Sequence, residues 1–238
     1  ATNALSFLFL EAAHRIRIPA NIAVMVHDGM DERFMRKAVE LLFVDRMGIP
    51  RFCGLQGIVD GFVRNGFPLA LARQRVQAGC HWFCLPGREY CFCDVIKINF
   101  AKVLEAALEE MMGGGAGAPS VSLLWDLFAK HLRRAVEVVA EGIDWHIEHQ
   151  HLFYPELALS LLCHGTIEKG VDASHGGVEF INIGVDGAAL ATAADSFAAI
   201  EQCVERERSV TWSELYYALG QRWWRACRIR MLMQTVPG

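Results

Sequence analysis

Thiol, imidazole and carboxylate groups crowd one short stretch of the chain, Ala78–Gly79–Cys80–His81–Trp82–Phe83–Cys84–Leu85–Pro86–Gly87–Arg88–Glu89–Tyr90. A cysteine there can do two kinds of chemistry. Ionic chemistry needs a thiolate and hence a lowered pKa; radical chemistry moves a hydrogen atom and needs no such shift. Val76–Cys80 reads as a strand that leads into a loop, and Pro86–Gly87 is a turn signal, so Cys80 is expected at a loop tip. Strand ends in α/β folds point such residues into a central cavity. The ordinary alternative is a cysteine that serves as a small buried hydrophobe. Beside it, His81 is either an acid–base partner of the thiol or a packed loop residue. Trp82 and Phe83 line a pocket or pack in the core. Glu89 either anchors a buried loop or is a solvated charge.

Two other clusters bear on metal chemistry. Cys80, Cys84, Cys91 and Cys93 give C-x3-C-x6-C-x-C. Zinc and iron–sulfur sites usually contain a C-x2-C pair; this run lacks one, and no metal is expected. A thiol metalloprotein built on residues 80–93 would instead carry stoichiometric zinc or iron. In His146–Ile147–Glu148–His149–Gln150–His151, a helix puts His146 and His149 on one face and His151 elsewhere. The H-E-x-x-H order of zinc hydrolases is absent, so a polar helix end facing a cavity or a subunit contact is expected. His164 and His175 flank a loop over Glu168–Gly177.

The elements that must position these groups alternate. Leu5 to Ile16 has helical periodicity with Asn3 as a cap. Asn21–Val26 is a β-rich run closed by His27–Asp28–Gly29. Asp31 caps a helix that reaches about Met47 and stops before Gly48–Ile49–Pro50. Gln56–Asn65 reads as a short helix ended by Gly66, and Pro68 starts another. Gly113–Pro119 is a flexible linker. Ser120 caps a long helix whose Leu124, Phe128, Leu132, Val136, Val139, Ile143 and Ile147 form one apolar face. Gly176–Ile183 reads as a strand and Gly187 to about Glu207 as an Ala-rich helix. Thr211–Trp212–Ser213–Glu214 is a capping box that opens the last helix. Strands alternating with helices predict a parallel α/β architecture, with residues 1–238 as a single domain.

Composition narrows the function classes. Net charge is −4 with no basic tail, so the electrostatic footprint of a nucleic-acid binder is missing. Mean hydropathy is +0.23, yet no run of about 18 apolar residues occurs, which argues against a membrane-spanning helix. A chain this apolar without a span is expected to be buried on many sides, in a large fold or a bigger polypeptide. The apolar N-terminus has no basic region and no small-residue cleavage site, so the eight cysteines read as reduced thiols in the cytoplasm.

Gly79–Cys80, followed by Pro86–Gly87–Arg88–Glu89–Tyr90 and Asp94, resembles the cysteine loop of the glycyl radical enzymes, the pyruvate formate-lyase and glycerol dehydratase family. The flanks agree in order. Gly48–Ile49–Pro50–Arg51–Phe52, Gly66–Phe67–Pro68–Leu69 and Ala72–Arg73 resemble the stretch before that loop. Ile96–Lys97–Ile98–Asn99–Phe100–Ala101–Lys102–Val103–Leu104–Glu105 resembles the helix after it. Ile167–Glu168–Lys169–Gly170–Val171–Asp172, Gly176–Gly177, Gly184–Val185 and Asp195–Ser196–Phe197–Ala198–Ala199–Ile200 resemble later core segments.

The resemblance implies an α/β fold that is part of a ten-stranded barrel of two antiparallel halves. It implies a glycyl radical cofactor, installed on a backbone glycine by a radical SAM activating enzyme. It makes Cys80 the thiyl residue that abstracts hydrogen from a small polar substrate, driving C–O, C–N or C–C cleavage as a lyase or dehydratase. A homo-oligomer or a complementing chain is expected. A radical must be kept dry, so burial in the barrel is a physical requirement. By position, His81, Trp82, Glu89 and Asp94 become substrate-binding or supporting residues. In the family the radical glycine lies beyond the segment matched by residues 1–238, and neither Gly238 nor Gly113–Gly117 has its surroundings. Dehydratase members carry Glu two residues after the cysteine, where this chain has Trp82; Asp94 matches an acidic position of the diol dehydratase pattern and partly restores a proton-transfer group. Pyruvate formate-lyase itself has two adjacent cysteines, and His81 replaces the second, which disfavours formate chemistry. The competing expectation is a non-catalytic scaffold or partner-binding subunit derived from the same fold.

Overall fold

The computed structural model describes residues 2–17, 20–79, 82–114 and 117–220, without the side chains of Asp94 and Val95. Helices begin where short polar side chains satisfy the first free backbone N–H groups. The Asn3 side chain accepts from Ser6 N at 3.1 Å and opens α1 (Ala4–Ile16). After β1 (Ala23–Val26), the Asp31 carboxylate accepts from Arg33 N at 2.8 Å and opens α2 (Glu32–Asp45). β2 (Arg51–Gly54) runs straight into α3 (Leu55–Arg64), followed by α4 (Leu69–Ala72), β3 (Val76–Ala78), β4 (Trp82–Cys84) and β5 (Glu89–Asn99). Asn99 caps α5 (Phe100–Met112), and Ser120 Oγ accepts from Leu123 N at the start of α6 (Val121–Phe153). α7 (Leu157–Ser160), α8 (Thr166–Lys169) and a 3-10 turn at Ala173–His175 precede β6 (Phe180–Ala188) and α9 (Leu190–Ile200). The predicted capping box forms: Glu214 accepts from Thr211 N at 2.9 Å, and Thr211 Oγ1 accepts from Glu214 N at 3.2 Å, opening α10 (Trp212–Gly220).

Four local expectations need correction. The parallel pattern holds for β1 and β2, which pair from Ala23↔Arg51 to Val26↔Gly54 with α2 as the crossover. β3 and β4 are antiparallel, Val76↔Cys84 to Ala78↔Trp82. Only residues 79–81 join them, too few for the crossover that a parallel pair requires. The strand expected at Gly176–Ile183 starts later, at Phe180, because a turn occupies Ala173–Gly177. The helix expected from Gly187 starts at Leu190 and passes into a π turn at Glu201–Arg206. Gly187 remains in the strand, where a Cβ would lie 2.3 Å from the Phe100 ring. In α6 the apolar stripe is buried at Leu124 and Phe128, but Val136 is 52% exposed.

The chain divides into two compact units, residues 1–91 with 151–182, and residues 92–150 with 183–238. The first unit packs α1 and α2 over the parallel pair, with Leu10, Val24, Phe34, Ala38 and Leu41 buried together. The second packs α5, the first turns of α6, α9 and α10, with Leu104, Leu108, Leu124, Phe128 and Ile200 at its centre. Gly113–Pro119 joins α5 to α6 inside this second unit. Among the described residues no helix is long and apolar enough to cross a membrane.

Candidate active site

The β3–β4 hairpin organises the candidate site in the first unit. Cys80 and His81, the two central residues of the sequence reading, lie outside the described residues. Their neighbours are held on both sides. Gly79, at φ +56°, uses its carbonyl to accept from Arg51 Nη1 at 3.1 Å and Gln77 Nε2 at 3.3 Å. Arg51 also donates to Asn21 Oδ1 at 2.6 Å, and the Cys53 thiol donates to Gln77 Oε1 at 3.0 Å. The incoming strand of the hairpin is therefore tied to β2 and to the segment before β1.

Beneath the hairpin lies a buried ion pair. Arg75 and Glu89 side chains are 1% and 2% exposed, and Arg75 Nη1 reaches the two carboxylate oxygens at 2.9 and 3.1 Å. The same nitrogen donates to the Phe83 carbonyl at 3.1 Å. The guanidinium lies over the rings of Phe62 at 4.0 Å and Phe67 at 4.5 Å. Glu89 also accepts from Leu85 N at 2.7 Å, and Asn182 Nδ2 donates to the Phe83 carbonyl at 3.1 Å. Charge-assisted bonds among buried groups are short and strong, and each member depends on the others.

The turn after β4 is fixed from the opposite side. Gly87, at φ +71°, packs on the ring of His164, whose backbone N–H donates to the Gly87 carbonyl at 2.7 Å. The Arg88 carbonyl accepts from Glu179 N and Phe180 N at 3.1 and 3.2 Å. Tyr90 is buried and its hydroxyl donates to Glu156 at 3.3 Å. Behind this, the Asp172 carboxyl is pushed up by burial. Hydrogen bonds from Ser174, from the Glu156 backbone and from Ser160 outweigh that and hold it below its usual range.

The chemistry available to the described thiols is limited. Burial pushes Cys53, Cys163 and Cys203 up, and burial with the neighbouring Cys91 and Glu89 pushes Cys84 up. These groups stay protonated near neutral pH and are poor ionic nucleophiles. Trp82 is half-buried, and its Nε1 is buried with no hydrogen-bond partner among the described residues. Glu89 is the buried anchor just described. Asp94 lies within β5, its side chain outside the described set. The helix-end histidines are aromatic partners: His146 stacks on Phe92, His149 on Trp145, and His151 on His175 at 3.6 Å. Among the described residues no three His, Cys, Asp or Glu side chains gather as a metal site.

Sequence reasoning missed Arg75, Phe62, Phe67 and Asn182. Arg75 sits in a polar run, Arg73–Gln74–Arg75, that reads as surface, and Asn182 is 99 positions from the carbonyl it serves. A cavity of about 470 Å³, lined by Ser6, His27, Leu55, Arg75 and Val76 among others, opens between α1, the end of β1 and the entry to β3.

The family model described as pyruvate formate lyase-like matches residues 1–238. The (2S)-3-sulfopropanediol dehydratase of Klebsiella oxytoca is 26% identical over 94% of this chain and 28% of its own length. The isethionate sulfite-lyase of Nitratidesulfovibrio vulgaris is 25% identical over 100% of this chain and 30% of its own length. The crystal structure of a glycyl radical enzyme from Archaeoglobus fulgidus has the same α/β fold over 100% of this chain and 32% of that one, with a TM-score of 0.82 at 24% identity. The chain thus spans less than a third of the length of these relatives.

Proposed function

The chain belongs to the pyruvate formate lyase-like family of glycyl radical enzymes, and on that premise we propose that it carries the cysteine loop of a radical lyase or dehydratase, with Cys80 as the thiyl residue. The observation that carries this reading is the family match along residues 1–238, which includes the hairpin whose strands flank Cys80. A glycyl radical, installed by a radical SAM activating enzyme, would supply the oxidising equivalent for a thiyl at Cys80, the residue that would exchange hydrogen with it. The described surroundings of the hairpin support this reading. Gly79, Phe83 and Leu85 are each fastened by buried or half-buried partners, and the described thiols are held protonated.

The chain's own residues then divide the work. The Cys80 sulfur takes a hydrogen atom from a substrate carbon, so a C–H bond breaks as an S–H bond forms. The substrate radical breaks a neighbouring C–O, C–N or C–C bond with the unpaired electron staying on the product fragment (in a dehydration the hydroxyl leaves as water with a proton from the substrate's other hydroxyl), and the Cys80 thiol returns its hydrogen atom to that product radical. Trp82, whose indole N–H is buried without a partner among the described residues, serves as a substrate-binding or supporting residue. His81 and Asp94 serve as proton-transfer or binding groups beside it, and Glu89 supports the loop. The names of the relatives, a dehydratase and a sulfite-lyase, favour elimination next to the carbon that loses hydrogen. The same reading makes the described strands part of a ten-stranded α/β barrel in an anaerobic, cytoplasmic enzyme acting on a small polar substrate, with a second copy or chain completing it.

The test uses the complete native polypeptide, isolated anaerobically and activated. Cys80→Ala is expected to keep the glycyl radical signal in electron paramagnetic resonance and to lower turnover by at least about a thousandfold, the scale of removing the reacting group. Turnover retained by that variant would remove Cys80 from the mechanism.

A further inference from the structure

Arg75 is placed where it grips both strands of the cysteine hairpin. It directly precedes β3, so its backbone enters the strand that leads to Gly79. Its Nη1 holds the carbonyl of Phe83, the central residue of β4, at 3.1 Å. Through Glu89 it also reaches Leu85 N, at the exit of β4, and the first residue of β5. Phe62 and Phe67 lie against the guanidinium and restrict its motion. A buried ion pair is a poor stabilising device, because apolar side chains of similar volume usually do as well or better. What the pair adds is geometry: one nitrogen and one carboxylate set the spacing between residues 75, 83, 85 and 89.

We propose that Arg75 is a positioning residue for Cys80, holding the β3–β4 hairpin at the height and angle from which the thiol exchanges its hydrogen atom. The inference rests on the reading of Cys80 given above. Hydrogen transfer tolerates little displacement; a shift of about 1 Å in a reacting group costs on the order of 100-fold in rate. Arg75 touches neither substrate nor sulfur in this role. It acts through the Phe83 carbonyl and the Glu89 carboxylate.

The experiment separates positioning from plain stability. The unactivated full-length polypeptide is prepared as wild type, Arg75→Lys and the double variant Arg75→Met/Glu89→Gln. The double variant removes both charges, keeps an acceptor for Leu85 N–H and leaves no charge stranded, so its melting temperature is expected to stay near that of wild type. Each protein is alkylated with iodoacetamide, and the rate at each cysteine is read by peptide mass spectrometry. In the double variant the Cys80 rate is expected to rise at least about tenfold, as for a locally opened segment, while Cys163 and Cys203 keep their wild-type rates. Arg75→Lys keeps a charged donor for the carboxylate but gives up the planar fork and its stacking on Phe62 and Phe67, so its Cys80 rate is expected to fall between those of wild type and the double variant. An unchanged Cys80 rate, an equal rise at all three cysteines, or a Lys variant as fast as the double variant each overturns the proposal. The readout needs no turnover, so failure of the Cys80 mechanism shows separately, in the Cys80→Ala assay.

Discussion

Replacing Gly177 by alanine is expected to destabilise the first unit by about 3 kcal/mol, an effect that follows from backbone geometry alone. A Cβ on Gly177 would lie 2.2 Å from the Val171 carbonyl oxygen, 2.7 Å from that of Asp172 and 2.9 Å from the Asp172 carbonyl carbon. Ordinary contact begins near 3.4 Å, so the Val171 carbonyl must retreat by more than 1 Å. It is poorly free to do so. Gly177 N donates to the Asp172 carbonyl at 2.9 Å and Val171 N to that of Thr166 at 3.1 Å, while Lys169 Nζ donates to the Gly177 carbonyl at 2.9 Å. Overpacking typically costs about 1–3 kcal/mol, and each lost internal hydrogen bond about 1 kcal/mol. The smaller freedom of alanine in the unfolded chain returns about 0.4–1 kcal/mol. Gly187→Ala is the internal control. Its Cβ would meet the Phe100 ring edge at 2.3 Å, and a side chain yields more readily than a backbone, so about 1–2 kcal/mol is expected. Urea unfolding of both variants at matched m-value measures the difference. A Gly177→Ala protein within about 1 kcal/mol of wild type, or less affected than Gly187→Ala, would refute the reasoning.

Three further outcomes are expected. Leu124→Ala, in the fully buried centre of the second unit, is expected to cost about 3–5 kcal/mol in the same assay, and a loss below about 1 kcal/mol would mean that this core is not packed as described. The Asp172 carboxyl titrates below its ordinary value of 3.8 when folded, so the unfolded state binds the proton first. Its stabilising contribution is present above about pH 4 and is lost as the pH falls through the folded value. The stability gap between wild type and Asp172→Asn is thus expected to shrink on acidification, and a gap constant from neutral pH to pH 3 contradicts the hydrogen-bond assignment. Finally, Tyr154, Leu161 and Leu162 are 77%, 71% and 76% exposed within one short segment. Apolar surface of this kind drives association, so residues 1–238 produced alone are expected to self-associate; a concentration-independent monomer in sedimentation would count against that.

What could be read along the chain was whatever depends on near neighbours. Asn3, Asp31, Ser120 and the Thr211–Glu214 box cap helices in the structure as expected, because a cap binds N–H groups two or three residues away. The turn at Pro86–Gly87 was legible for the same reason, and the motifs flanking Cys80 pointed to the family directly. The close approach of Gly187 to Phe100 and the exposed middle of α6 were decided by packing between segments. The Glu89 carboxylate was visible as a candidate, but its partner was not. Arg75 lies 14 positions before it, and Asn182, which shares the Phe83 carbonyl, lies 99 positions after that residue. A sequence displays side-chain chemistry and short-range hydrogen bonding, but whether a charge is solvated or buried against a distant partner depends on which segments meet. Only the folded chain determines that, and here it turns an arginine from a polar run into the support of the cysteine hairpin.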